Sequence, residues 1–345
     1  MSFVRIRRRR GRSAAAVTAA LASLLSLGVA SCRTASELPQ VSPASLIAST
    51  VRAIARDHPI SGSVQLSVDL GLPQLVDLEA QSGPLGLLSG THELKLWRSR
   101  DGLRISDLER TGERALFVSH GRAWAWDFES LTAYDLGRIP TPTGSIFDAL
   151  GAVVSADAVR QMLDDVSATT RVGVSGATTV AGRPSYRLIL APRQAGSLAG
   201  AIEIDIDAGT RMPLALSIFG RSQKTAAISV RFSSVSFDPV DPSVFDFEPP
   251  PGARVKHVGL GSADIDRVLA LTQSLRTFGA GWTSGMAVRV PPIARGGIAG
   301  AFAGGFLRFQ GSLVSVAVAD RGDHAWILVG TVPLPRLESF ESRLT

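Results

Sequence analysis

Ile202-Glu203-Ile204-Asp205-Ile206-Asp207 alternates isoleucine with a carboxylate, the two-residue period of a β-strand with one apolar and one polar face. A strand of this kind packs one face inward and leaves the other in water, which places it in an antiparallel sheet. Working outward, the same short alternation recurs at 172–174, 186–190, 214–218 and 228–232. On the N-terminal side, Val64, Leu66 and Val68 alternate with polar residues between Gly62 and Gly71, and Leu94 and Leu96 lie between Glu93, Lys95 and Trp97. Leu103 and Ile105 follow Asp101-Gly102, and an apolar run at 116–118 is joined through His120-Gly121 to another at 123–128. Asp-Gly and His-Gly between short alternating runs are hairpin signals.

Helical signals are few. Ser42-Pro43-Ala44 offers a capping serine and a proline at the first helical position, followed by Leu46, Ile47, Val51 and Ile54 at helical spacing. A second helix is expected at 156–165, within a break in the strands that starts at Pro140. Short antiparallel strands with helices gathered at the start and in the middle give an α+β fold built on a sandwich or barrel, and disfavour a parallel α/β fold. A proline-rich stretch at 238–251, pinned by Phe237, Val244, Phe245 and Phe247, marks a boundary. Beyond it come a helix expected at 264–276, a strand at 286–290, a Gly-Ala-Phe run at 296–309, and strands at 313–319 and 326–329. Gly300 and Gly304 have the small-residue spacing that lets helices pack closely in membranes. Arg295 and Arg308 nevertheless bracket too short a run to span a bilayer, so a buried or lid-like segment is the reading.

Charge excludes one broad class. The 345 residues carry 36 basic and 30 acidic side chains, but Arg5, Arg7, Arg8, Arg9, Arg10 and Arg12 account for the whole excess. No positive field remains in the body of the chain to attract a phosphate backbone, and nucleic-acid binding is set aside. The basic cluster is followed by an uncharged run over 13–31, the order of an export signal. The only cysteine, Cys32, ends that run behind small residues, with Val29 three positions upstream. This resembles a bacterial lipobox, which implies cleavage before Cys32 and acylation of its thiol. A plain cleaved signal, an uncleaved anchor and a twin-arginine route from Arg7 to Arg10 stay open. With Cys32 so used, no disulfide is possible in the exported body, and its stability must come from burial.

Catalytic patterns are sparse. His58, His92, His120, His257 and His324 share no ligand-like spacing, so no metal is called for, and neither is any cofactor. There is no Gly-x-Ser-x-Gly elbow and no phosphate-cradling loop. Asp164 and Asp165, or Asp205 and Asp207, could pair as acid and base. Asp205 and Asp207 are expected on the wet face of their strand, as solvated surface. Trp124, Trp126 and Phe128 occupy one strand face and could stack a sugar ring, although a core or an apolar cavity accounts for them more simply. The chain is read as a non-enzyme.

A resemblance adds to this. Val118-Ser119-His120-Gly121-Arg122-Ala123-Trp124-Ala125-Trp126-Asp127, with Tyr134 beyond, resembles a hairpin of the LolA/LolB/RseB superfamily of lipoprotein carriers and sigma-factor regulatory sensors. Asp69 to Leu75, Val180 to Arg193, and Val235 to Ala253 are similar to further stretches of its members from high-GC bacteria. The resemblance implies a strongly curved antiparallel sheet, a half-open barrel with covering helices whose apolar face holds acyl chains. The expected organisation is a lipoprotein signal at 1–31, a polar tether at 32–41, a LolA-like half-barrel at 42–253 and a smaller α+β segment at 254–345. Cavity candidates are Leu66, Leu94, Leu96, Ile105, Trp124, Trp126, Leu188, Ile204, Leu216 and Ile218. The expected partners are a membrane, reached through the lipid anchor at Cys32, and acyl chains of lipids or lipoproteins. The expected place is the outer face of the cell membrane. The alternative is a sensor that binds a membrane anti-sigma factor.

Overall fold

A computed structural model describes residues 38–56, 58–71, 89–109, 112–138, 156–258, 274–290 and 308–344. The export signal, Cys32 and the 300–304 glycine spacing lie outside them, as does the helix expected at 264–276 up to residue 273. The first helix, α1 (Pro43–Ala55), starts as its sequence predicts: Ser42 caps it, its hydroxyl accepting from the Ser45 N–H at 3.2 Å. The second, α2 (Ala156–Val166), packs on α1 through Ala44, Ala48 and Val159.

The strands follow in chain order: β1 (Ile60–Val68), β2 (Gly90–Ser99), β3 (Gly102–Glu109), β4 (Gly112–Ser119), β5 (Arg122–Asp127) and β6 (Thr132–Arg138) precede α2. After it come β7 (Thr170–Val180), β8 (Arg183–Pro192), β9 (Ala199–Asp207), β10 (Pro213–Gly220), β11 (Ala226–Ser236) and β12 (Arg254–His257). These form one open, curved sheet of 12 strands in the order β12-β6-β5-β4-β3-β2-β1-β11-β10-β9-β8-β7. Every pair is antiparallel except β12 with β6. Register shifts at Ser63/Val64, Ala123/Trp124, Ser175/Ala177 and Ile218/Phe219 supply the local bends that curve a wide sheet. His120 and Gly121, at φ 49° and 70°, turn β4 into β5 with the two left-handed central residues of a type I′ hairpin.

A second sheet contains β13 (Arg276–Phe278), β14 (Gly285–Val290), β15 (Arg308–Gln310), β16 (Ser315–Asp320) and β17 (Ala325–Gly330), in the order β13-β14-β17-β16-β15. The helix α3 (Leu334–Glu341) covers it through Leu337, which packs with Ala287, Ala317, Trp326 and Leu328. Arg276 thus opens a strand where the sequence suggested the end of a helix. Both sheets belong to one compact unit, Leu38–Thr345. They are joined by Leu198 N–H to Thr331 O at 2.7 Å, and by the Trp282 indole N–H to Thr170 Oγ1 at 2.7 Å.

Between β11 and β12 the proline-rich stretch runs as a strap across β3 and β4. Phe245, 1% exposed, ends its short 3₁₀ turn (Pro242–Phe245). The strap lies so close that a Cβ on Gly102 would come within 2.8 Å of the Phe245 side chain. Glycine at 102 is therefore required by close packing, since a Cβ there would also come within 2.5 Å of the Val118 carbonyl oxygen. Phe245→Ala is expected to cost about 3–5 kcal/mol, as for other buried phenylalanines, read as a lowered midpoint in guanidinium unfolding.

Candidate functional site

Residues paired across antiparallel strands point to the same side, so the register assigns every strand residue to a face. One row runs Leu188↔Ile204↔Leu216↔Val230↔Leu66 over β8, β9, β10, β11 and β1. Val64 on the same side pairs with Leu94, and Leu96 continues it through Ile105 and Leu116 to Ala125 and Tyr134. Leu66, Leu94, Leu96, Ile105, Leu188, Ile204, Leu216 and Ile218 thus share one apolar face. At about 4.8 Å per strand, this face spans roughly 34 Å from β8 to β4 along the curved sheet, with His92 and Asp107 among its apolar residues.

Trp124 and Trp126 lie on the other face. Trp124 pairs with Phe117 and Asp135, and Trp126 with Ala115 and Ala133. Their cavity is filled from within the chain: Phe247 of the strap stacks on Phe117 at 4.7 Å and tilts against Trp124 at 5.7 Å and Trp126 at 5.9 Å. Period-two reading put the two tryptophans together correctly, but the parity that separates them from Ile105 is set by pairing with β4. Phe128 falls in the turn after β5 and is 48% exposed.

The structure also sorts the apolar face. Leu188 is buried under Leu46 of α1 with Tyr186 and Ile206, and Ile204 packs on that cluster. Leu94 and Leu96 pack against Ala53, Ile60, Val64 and Phe232. Ile218 packs on Ala199, Ala227 and Leu313. Leu66, Ile105 and Leu216 belong to none of these clusters among the described residues, and each stays half-buried.

The opposite face overturns the expectation for the β9 acids. Asp205 and Asp207 are 3% and 1% exposed, not solvated. Arg187 donates through Nε and Nη2 to the two oxygens of Asp205 at 2.7 and 3.0 Å, and Arg231 Nη1 reaches the same carboxylate at 3.1 Å. Ala215 lies between Asp205 and Arg231 in register, and its small side chain lets the arginine reach across β10. Asp207 receives both Arg183 Nε and Nη2, at 2.7 and 3.1 Å, and the Thr210 N–H and hydroxyl. Burial pushes the Asp207 carboxyl up, but the Arg183 and Thr210 hydrogen bonds outweigh it and hold the group below the usual carboxylate range. These acids are buried, ion-paired structure rather than solvated surface. Asp164 and Asp165, on α2, are exposed.

Near the strap, Asp135 accepts from Arg122 Nε at 3.3 Å and Nη2 at 2.5 Å, from the Gly137 N–H at 3.0 Å, and lies 3.0 Å from His257 Nδ1. Arg122 above all, against the cost of burial and with help from Gly137 and His257, holds this carboxyl down to about 2. Sequence reasoning missed this group because β12, which brings His257 to β6, is only four residues long and exposed throughout, with no run of alternating apolar and polar side chains to mark it. No helix among the described residues is long and apolar enough to cross a membrane.

No family model and no curated relative matches the chain. Among solved structures, the chain is similar to the complex structure of Pseudomonas aeruginosa MucA/MucB, with TM-score 0.48 and 14% identity over 86% of this chain and 96% of that one. It is similar to a LolA superfamily protein from Nitrosomonas europaea, with TM-score 0.24 and 8% identity over 60% and 99% of the two chains. A putative outer membrane lipoprotein-sorting protein domain from Vibrio parahaemolyticus matches with TM-score 0.21 and 13% identity over 55% and 91%. Each is a likeness of fold at low identity.

Asp135 has a folded pKa below that of the unfolded chain, so on acidification the unfolded state takes up the proton first. Its contribution is complete above about pH 4 and is lost as the pH falls toward about 2. In urea unfolding followed across this range, Asp135→Asn is expected to flatten the acid-side decline; an unchanged slope would remove Asp135 from the acid sensitivity.

Proposed function

We propose that the protein is an exported lipoprotein, held at the outer face of the cell membrane through Cys32, that takes up acyl chains of lipids or lipoproteins on the apolar face of its curved sheet. The observation that supports this most is the apolar row Leu188-Ile204-Leu216-Val230-Leu66 across β8 to β1, resumed on the same face by Leu96, Ile105 and Leu116, with Leu66, Ile105 and Leu216 half-buried and in no core cluster among the described residues. An alkyl chain laid along such a row gains about 0.8 kcal/mol for each CH₂ it buries, so a long chain is held without any polar contact. Two or more acyl chains at Cys32 would keep the protein at the membrane, where one chain anchors only marginally. A protein so tethered suits an acceptor at the surface better than a ferry between membranes.

A second reading, a regulator that binds a membrane protein such as an anti-sigma factor, draws on β12. That strand ends the large sheet, and Val255 within it and Val258 just after it are 45% and 49% exposed. An edge of this kind can accept a partner strand. Recovery of one transmembrane protein with the tagged chain, lost on Val255→Lys, would favour it.

Native mass spectrometry with organic extraction tests the first reading. The expected result is a co-purified acylated molecule from the wild type, lost in Leu66→Arg and in Ile105→Arg while the unfolding midpoint stays near that of the wild type. Trp124→Ala, on the other face, is expected to retain the lipid. A folded protein that carries no lipid and refuses added fatty acid would sink the proposal.

A further inference from the structure

Two walls stand over the apolar face of the large sheet. On β11, Phe232 lies under the first: it forms one cluster with Ala53 of α1 and Val64 of β1. Four residues back along the same strand, Ile228 lies under the second, which comes from the other sheet. There the turn between β15 and β16 sets Leu313, 6% exposed, on Ala199 and Ala227, with Ile218 and Ile228 packed against them.

The second wall is held by backbone. The Ser312 N–H donates to Leu70 O at 3.0 Å and its hydroxyl to Asp69 O at 3.2 Å, while the Gly311 N–H closes the turn on Val314 O at 2.8 Å. The turn lies so close to β10 that a Cβ on Gly220 would come within 2.5 Å of Ser312 O. Leu313 is thus a fixed side chain that one sheet contributes to the face of the other.

Between the walls one row of the floor is left: Leu216, Val230 and Leu66, all half-buried and paired across β10, β11 and β1. Phe232 and Ile228 are roughly 13 Å apart along β11, at about 3.3 Å per residue. Each wall fills the space above its own row, so the gap is as wide as one row of side chains. A single alkyl chain has that width, being built of the same methylene groups; two side by side would overpack it. The ends of the row differ. Toward β8 it passes under α1, where Leu46 covers Leu188, and toward β2 Leu66 pairs with His92, the first polar side chain of the row. We propose that this trench holds one acyl chain, tail toward β9 and polar end at His92, and that Leu313 sets the limit of one. The proposal rests on the acyl-binding reading and narrows its ligand to single-chain lipids, a fatty acid or a lysophospholipid. The second chain of a diacyl lipid finds no place.

The test is native mass spectrometry of the full chain in a steroidal detergent, which has no alkyl chain, with palmitate, palmitoyl lysophosphatidylcholine and dipalmitoyl phosphatidylcholine added in turn. One palmitate or one lysolipid is expected per chain, and either supports the trench; the two-chain lipid is expected to bind at least about tenfold more weakly. Leu313→Ala is expected to bring the two-chain lipid within about threefold of the single-chain one, and Leu313→Met, which keeps the volume, to restore the wild-type preference. Should Leu313→Ala fail to fold, Ile218→Ala, which removes the footing of the same wall, carries the same expectation. The readout is the preference, since lost packing alone lowers stability without changing which lipid is chosen. Equal binding of single-chain and two-chain lipids by the wild type, or an unchanged preference in a folded Leu313→Ala or Ile218→Ala, overturns the one-chain limit and leaves acyl binding standing. Binding of no lipid at all overturns both.

Discussion

Side-chain alternation kept in register across the 12-stranded sheet is the constraint from which the rest of the molecule follows. A strand places successive side chains on opposite sides, so slipping one strand by a single residue would carry Leu66 or Ile204 to the polar side and Asp205 to the apolar one. Either move buries an unpaired charge or strands apolar surface in water. The register is therefore held by the chemistry of both faces together. The bulges at Ser63/Val64 and Ser175/Ala177 curve the sheet where the pairing tolerates an extra residue.

The polar side is not a solvated back. Over β8 to β11 it is a ladder of buried carboxylates and arginines, Arg183 on Asp207 and Arg187 with Arg231 on Asp205, which ties three strands across Ala215. Such pairs gain little over well-packed apolar residues, but loss of one partner leaves a buried charge exposed to its full desolvation cost. They specify which strands lie side by side more than they add to stability. Over β3 to β5 the same face is aromatic and is closed by the strap, with Arg104 between Trp97 and Phe117 at 5.2 and 4.8 Å. The strap thus serves the fold through its phenylalanines and turns Asp246 and Glu248 to solvent.

The two faces give the molecule two chemically unlike surfaces on one scaffold. The apolar one is covered by α1 over Leu188 and Ile204 and left half-buried at Leu66, Ile105 and Leu216. The other carries the arginine–carboxylate ladder over β8 to β11 and, over β3 to β5, the aromatic cluster that the strap closes. An open sheet permits this because both faces stay accessible, whereas a sealed barrel encloses one of them.

The sequence by itself determined the elements: the Ser42-Pro43 start of α1, the His120-Gly121 hairpin, and the strands around Leu66, Leu94, Ile105 and Ile204 follow from local periods and turn chemistry. It also determined that Trp124 and Trp126 share a face. Only the tertiary structure decided which face, because parity relative to Ile105 depends on pairing with β4, which nothing within β5 encodes. The same holds for Asp205 and Asp207. A carboxylate in an alternating strand reads as solvated until a distant arginine is known to reach it, and Arg231 lies two strands away. Local sequence sets the period, whereas long-range pairing sets what each side of that period meets.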